Sequence, residues 1–251
     1  MTTITDTVDA YDARVTPSPL TSGWGTVEFT AGDPIKLAIV PPSQEAVAGS
    51  EAEFTLQPQD SYGNPTACTS RDVYVAVTGS AKITYVDEAI SPTAAHTITG
   101  FIGAMTIRVE DTVIEAVDVS ATDLSATPLT AASATISYVV GAATQIVVTP
   151  SDPITDAVVG TTVPITAQIA DANGNPVAEA GVEITFAIAP SVTVTEGFVA
   201  PSLSPETAVT DATGKATTTL TLATQAGKVH QVTASDVNGY ADGTSAQITT
   251  I

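Results

Sequence analysis

The sequence predicts an all-β protein made of two antiparallel β-sandwiches in series behind an extended N-terminal arm, and three observations carry that prediction. Runs of alternating apolar and polar residues, rich in Val, Ile and Thr, recur between clusters of Gly, Pro, Asn and Asp. That is the pattern of short strands with one buried face. No long stretch places apolar residues at i, i+3, i+4 and i+7, so no amphipathic helix is predicted. The chain also repeats itself: "DSYGNP" at Asp60 to Pro65 and "DANGNP" at Asp171 to Pro176 stand 111 residues apart, each after an alternating run. Gly49 and Gly160, and Gly103 and Gly214, keep the same 111-residue offset. "VSATD" ending at Asp123 and "VTASD" ending at Asp236 are offset by 113, and "SATIS" from Ser133 and "SAQIT" from Ser245 by 112. Landmarks that hold one register mark a tandem duplication.

Residues 1–33 have no counterpart in the repeat and form the arm, broken by "TPSP" and "SGWG". Within it "TITDTV" alternates like a strand, and "WGTVEF" holds the only tryptophan. Ile4, Val8, Tyr11 and Trp24 are its candidate assembly residues, because an unpaired strand can add to the sheet edge of a neighbouring subunit. The other reading has the arm folding back on its own first domain or serving as a flexible leader. The first repeat spans 34–140 and the second 141–251, meeting at "VVGAAT" (139–144) with little Gly/Ser padding. A connection this short restrains the angle between domains and favours an extended rod. In the second repeat, strands are predicted near 144–149, 163–170, 182–188, 215–222, 229–234 and 245–250, with a looser pair between 192 and 210. Seven or eight short strands in about 100 residues is the density of an antiparallel sandwich.

Composition narrows the partners. With 27 acidic against 7 basic residues the net charge is −20, which repels phosphate backbones and excludes nucleic acid. Anionic membrane surfaces are disfavoured for the same reason, and no run approaches the ~20 apolar residues of a membrane span, so no membrane insertion is predicted. Divalent cations, or a partner with a basic face, fit better. Aromatics make up only 5% of the residues, so Val, Ile, Ala and Leu must supply most of the core. Cys68 is the single cysteine; it excludes an internal disulfide and a Cys-rich zinc site and reads as a small apolar side chain. "MTTITDTVDAYDARV" lacks a basic start followed by an apolar stretch. Export is therefore expected to be encoded outside this sequence, or the protein leaves its cell another way, as virion proteins do on lysis.

Asp171, Asn173 and Asn175 alternate like the first oxygens of a calcium loop, and they are the candidate metal ligands; calcium is the one cofactor the sequence leaves open. A full loop would need a following glycine and a bidentate carboxylate, whereas Pro176 follows Asn175. "NG" between alternating runs is in itself a turn signal. Asp152, Asp156, Glu179, Glu183, Asp236 and Asp242 read either as solvated surface charges or as calcium ligands near a domain end. His96 and His230 fall in different repeats, and the alternation of "KVHQV" sets His230 and Val232 on one face, as a half-buried or edge histidine. No G-x-S-x-G elbow, phosphate loop or His/Cys metal spacing is present, so no enzyme is predicted.

"AVVGTTVPITAQIADANGNPVAEAGVEITFAI" (157–188), "TDATGKATTTLTL" (210–222) and "AGKVHQVTAS" (226–235) together resemble a bacterial Ig-like domain of the invasin and intimin type. The resemblance covers most of 142–251 and rests on D-x-N-G-N-P and T-D-x-x-G-K-A. The first repeat is similar to the same broad group, but its later signature reads "ITGFIGAMTIRV", without Asp or Lys around Gly103. The resemblance implies Ig-like sandwiches used as a stalk, spacer or assembly module on bacterial surfaces, in surface layers or in phage virions. The functional expectation is a non-enzymatic extracellular or cell-surface protein, a repeating subunit or spacer of a filament, surface layer or adhesin stalk, with self-association or other surface proteins as partners. Two alternatives stand beside it: a phage virion decoration or tail protein, and an adhesin that binds glycan or protein through its few aromatics, Tyr11, Trp24, Tyr62 and Tyr240.

Overall fold

In the computed structural model, residues 4–10 and 23–251 are described. The chain divides into two compact units, Met1–Tyr138 and Val139–Ile251, and among the described residues there is no helix.

The arm forms β1 (Ile4–Ala10) and β2 (Gly23–Phe29), which pair antiparallel from Ile4↔Phe29 to Ala10↔Gly23 as a two-stranded sheet of their own. Residues 4–8 of the alternating "TITDTV" run are thus paired within the arm. Val8 stands opposite Gly25 and Asp9 opposite Trp24; Tyr11 lies outside the described residues.

The first unit continues with β3 (Lys36–Val40), β4 (Ser43–Val47), β5 (Glu51–Gln59), β6 (Arg71–Val77), β7 (Lys82–Val86), β8 (Ala89–Thr93), β9 (Ala95–Phe101), β10 (Met105–Glu110), β11 (Ala116–Asp123) and β12 (Ala132–Val139). They build two five-stranded sheets, ordered β3-β5-β10-β7-β8 and β4-β12-β11-β6-β9. Period-two alternation decides which side chains enter the space between them: β5 buries Ala52, Phe54 and Leu56 and turns Glu51 and Glu53 outward. Phe54, Leu56, Val73, Val75, Ile107 and Ile136 meet in one core, where each large aliphatic or aromatic side chain stabilises the fold by about 1.5–3 kcal/mol. Tyr138 is buried as well, and its hydroxyl donates to Val109 O at 2.7 Å, so its polar end is satisfied. Cys68 is half-buried against this core.

The second unit comprises β13 (Gln145–Thr149), β14 (Ile154–Ala157), β15 (Thr162–Ala170), β16 (Glu183–Ile188), β17 (Ser202–Ser204), β18 (Thr207–Val209), β19 (Lys215–Thr221), β20 (Val229–His230), β21 (Val232–Asp236), β22 (Gly243–Thr244) and β23 (Ile248–Thr250). Its sheets run β13-β15-β19-β17, β14-β23-β20 and β18-β16-β21-β22. Ile146, Val148, Ile165, Ile184, Phe186 and Leu220 form its core. Two departures from the sequence reading have physical causes. The run expected at 229–234 divides at Gln231, because His230 pairs with Ile248 whereas Val232 pairs with Ile188 in another sheet. The unpredicted β14 pairs parallel with β23, with Ile154 opposite Ile248 and Ala157 opposite Thr250.

Candidate functional site

One local motif recurs at four aspartates, among them Asp171 and Asp236, which the sequence marks for chemistry. An aspartate at i accepts the N–H groups of i+2 and i+4, and a glycine at i+3 takes a left-handed conformation. Asp60, Asp171, Asp211 and Asp236 head such turns, with Gly63, Gly174, Gly214 and Gly239 at φ 87°, 84°, 77° and 91°. Short polar side chains that capture nearby backbone N–H groups are what make Asp a turn residue, and glycine alone enters that φ region without strain.

At "DANGNP" the motif is filled completely. Asp171 is buried; its Oδ1 accepts Asn173 N and Asn175 N, each at 2.9 Å, and its Oδ2 accepts Asn175 Nδ2 at 3.0 Å and Gly141 N at 3.1 Å. "DSYGNP" reproduces the set: Asp60 Oδ1 accepts Tyr62 N and Asn64 N, each at 2.9 Å, and Oδ2 accepts Gly32 N at 2.9 Å and Asn64 Nδ2 at 3.0 Å. A carboxylate has about four lone-pair directions, and here four N–H donors occupy them. Burial alone would raise the Asp171 carboxyl, but the Asn175 amide and the N–H groups of Gly141, Asn175 and Asn173 outweigh it and hold the group below the usual carboxylate range. Of the three expected calcium ligands, the structure joins Asp171 and Asn175 as acceptor and donor. A cation at this carboxylate would have to displace N–H groups that close the turn.

The other marked residues divide between framework and surface. His230 is fully buried, where an edge or half-buried position was expected. Ala223 N–H donates to Nε2 at 3.2 Å and Nδ1 lies 3.1 Å from Ile248 O, so the ring bridges two backbone segments. His96 is half-buried on β9, opposite Val75. Tyr240 donates to Glu179, with both carboxylate oxygens 2.9 Å away. Asp152, Asp156, Glu183 and Asp242 are exposed.

One constellation was missed. In the first unit Ser80, Asp111 and Glu115 converge where the β6–β7 turn meets the β10–β11 loop. A signal for it lies in the repeat. Gly49 N donates to Asp111 O as Gly160 N does to Ala223 O, and Tyr138 N donates to Glu115 O as Thr250 N does to Lys228 O. The first unit therefore carries two carboxylates where the second has Ala223 and Lys228.

Paired sheets and buried cross-sheet cores define two β-sandwiches that follow one another along the chain. No protein-family model matches the chain, and no curated protein does. Among solved structures it is similar to the Yersinia pseudotuberculosis adhesin InvE, at 19% identity over 86% of this chain and 58% of that one, with a TM-score of 0.34. It is also similar to the D0-D1 domain of intimin, at 19% identity over 86% of this chain and 97% of that one, TM-score 0.32. Domains 5-6 of the S-layer protein SbsC are similar at 16% identity over 86% and 97%, TM-score 0.32.

Proposed function

We propose that this protein is a non-enzymatic structural protein of an extracellular or cell-surface assembly, a repeating subunit or spacer whose N-terminal hairpin joins one copy to the next. The observation that carries this reading is the hairpin, since β1 and β2 pair with each other in a two-stranded sheet. A lone two-stranded hairpin is marginally stable in water. Its open edges are templates for a further strand, and β8 and β9 are outer strands of the first unit's sheets that could accept it. The buried polar groups agree with a framework role, because Asp60, Asp171 and His230 are all bonded to backbone. Negative-stain electron microscopy of the full chain and of a chain lacking residues 1–30, each with and without millimolar calcium, tests it. Regular filaments or sheets from the full chain alone support the hairpin as the connector, and assembly that survives the deletion removes it. Isolated particles from both leave a spacer.

A second reading rests on Tyr62, 90% exposed at the tip of the Asp60 turn: an aromatic so placed suits a glycan- or protein-binding module. A glycan array separates the two.

A further inference from the structure

In the first unit, Gly79 (φ 65°) brings the backbone so close to Glu115 that a Cβ at position 79 would overlap the carboxylate. Glu115 Oε1 accepts Ser80 N at 2.6 Å and stands 2.9 Å from Ser80 Oγ; the same Oγ stands 2.8 Å from Asp111 Oδ1, which also accepts Val113 N at 3.0 Å. A serine hydroxyl has one proton, so it serves one of these carboxylates at a time. The Asp111 and Glu115 carboxylates therefore compete for one hydroxyl. Independently, Asp111 is 4% exposed, and its Oδ2 is buried with no hydrogen-bond partner among the described residues.

Two carboxylates held against one hydroxyl, one with an orphaned oxygen, are unfavourable without a positive charge beside them. The ion pairs found among the described residues, Arg71–Asp123, Arg108–Glu51 and Arg108–Glu53, do not supply it. Asp111 and Ser80 line a groove of about 210 Å³ together with Glu110, Thr84 and Lys82. We propose that Asp111, Glu115 and Ser80 bind a hard divalent cation beside this groove, where Ser80 Oγ meets both carboxylates, calcium by the all-oxygen character of the donors. Among the described residues no third Asp, Glu, His or Cys joins the pair, so water and neutral oxygens complete the shell, as calcium's flexible coordination allows. The second unit has Ala223 and Lys228 in the corresponding places and lacks the site.

The test is calorimetric titration of chelator-treated full-length protein with calcium chloride, alongside thermal unfolding, with sodium chloride at matched ionic strength as the control for an acidic chain. One saturable site per chain and a raised Tm are expected. Glu115→Gln keeps an acceptor for Ser80 N, and it should weaken binding at least about tenfold, the loss that even removal of an outer-shell partner brings; Asp111→Asn should do the same. In chelator, Glu115→Gln should be at least as stable as the wild type, since it removes a like charge. If Asp111→Asn fails to fold, Glu115→Gln carries the test. Absence of saturable binding, equal binding by Glu115→Gln, or an equal Tm shift with sodium chloride would each overturn the proposal. So would a wild type that ignores calcium and is more stable than Glu115→Gln in chelator, because Lys82 or a shared proton would then be neutralising the pair.

Discussion

Asp171 accepts the amide of Gly141 at 3.1 Å, and Asp60 accepts that of Gly32 at 2.9 Å. In each unit, one buried carboxylate fastens the segment ahead of the first sandwich strand to the turn after the next long one. Asp171→Ala removes the acceptor of four N–H groups in a buried place, and leaving them unpaired should cost about 2–4 kcal/mol. Asp171→Asn should destabilise in the same direction, since an amide NH2 would face N–H donors. Urea unfolding read from the second unit checks both.

The same carboxylates set an acid limit. The Asn64 side-chain amide and the Gly32 N–H bring Asp60 from 3.8 to about 2. Burial alone would raise Asp123, but Ser125, the Leu129 N–H and the Arg71 guanidinium outweigh it and hold it at about 2. Both pKa values are lower folded than unfolded, so the stability they contribute is complete above about pH 5 and is lost as pH falls toward 2. Urea midpoints measured across that window should fall with pH, and Asp123→Asn should show a lower midpoint at neutral pH with a shallower acid slope.

Two glycines that the repeat equates should respond differently to alanine. At Gly214 (φ 77°) a Cβ would overlap Val177 O, whereas at Gly103 nothing lies within 4 Å of one. Gly214→Ala should destabilise by about 2 kcal/mol or more and Gly103→Ala by under about 0.5 kcal/mol. Differential scanning calorimetry of the two variants distinguishes them.

His230→Leu preserves an apolar volume but strands Ala223 N–H in the core and removes the ring's contact with Ile248 O. The expected loss is about 2–4 kcal/mol, read as a lower urea midpoint.

Alternating runs such as "EFTLQ" and "ITFAI" disclose their buried faces directly, and the 111-residue offset locates paired turns, so sandwich and duplication are legible in the sequence. Long-range pairing is less so. "ITDA" carries no strand pattern of its own, and β14 exists because the last strand of its unit lies alongside it. Asp171 and Asn175 look like ligands in one dimension; only the fold brings Gly141 N to complete the carboxylate's donors. Asp111 and Glu115, four residues apart on a chain of net charge −20, read as two more surface charges until the 79–80 turn closes over them.

The parallel pairing of β14 with β23 also sets how the second unit answers force. Ile154 N donates to Gln247 O and Ile251 N to Ala157 O, each at 2.9 Å, while Ala246 N donates to Pro150 O at 2.8 Å. Drawn in opposite directions, parallel strands slide along each other, so these bonds share the load together; an antiparallel hairpin would open from its end one bond at a time. Stretched singly in an optical trap or force microscope, this unit should rupture in one abrupt step, and a proline at Ile154, which deletes one of the shared bonds, should lower the rupture force.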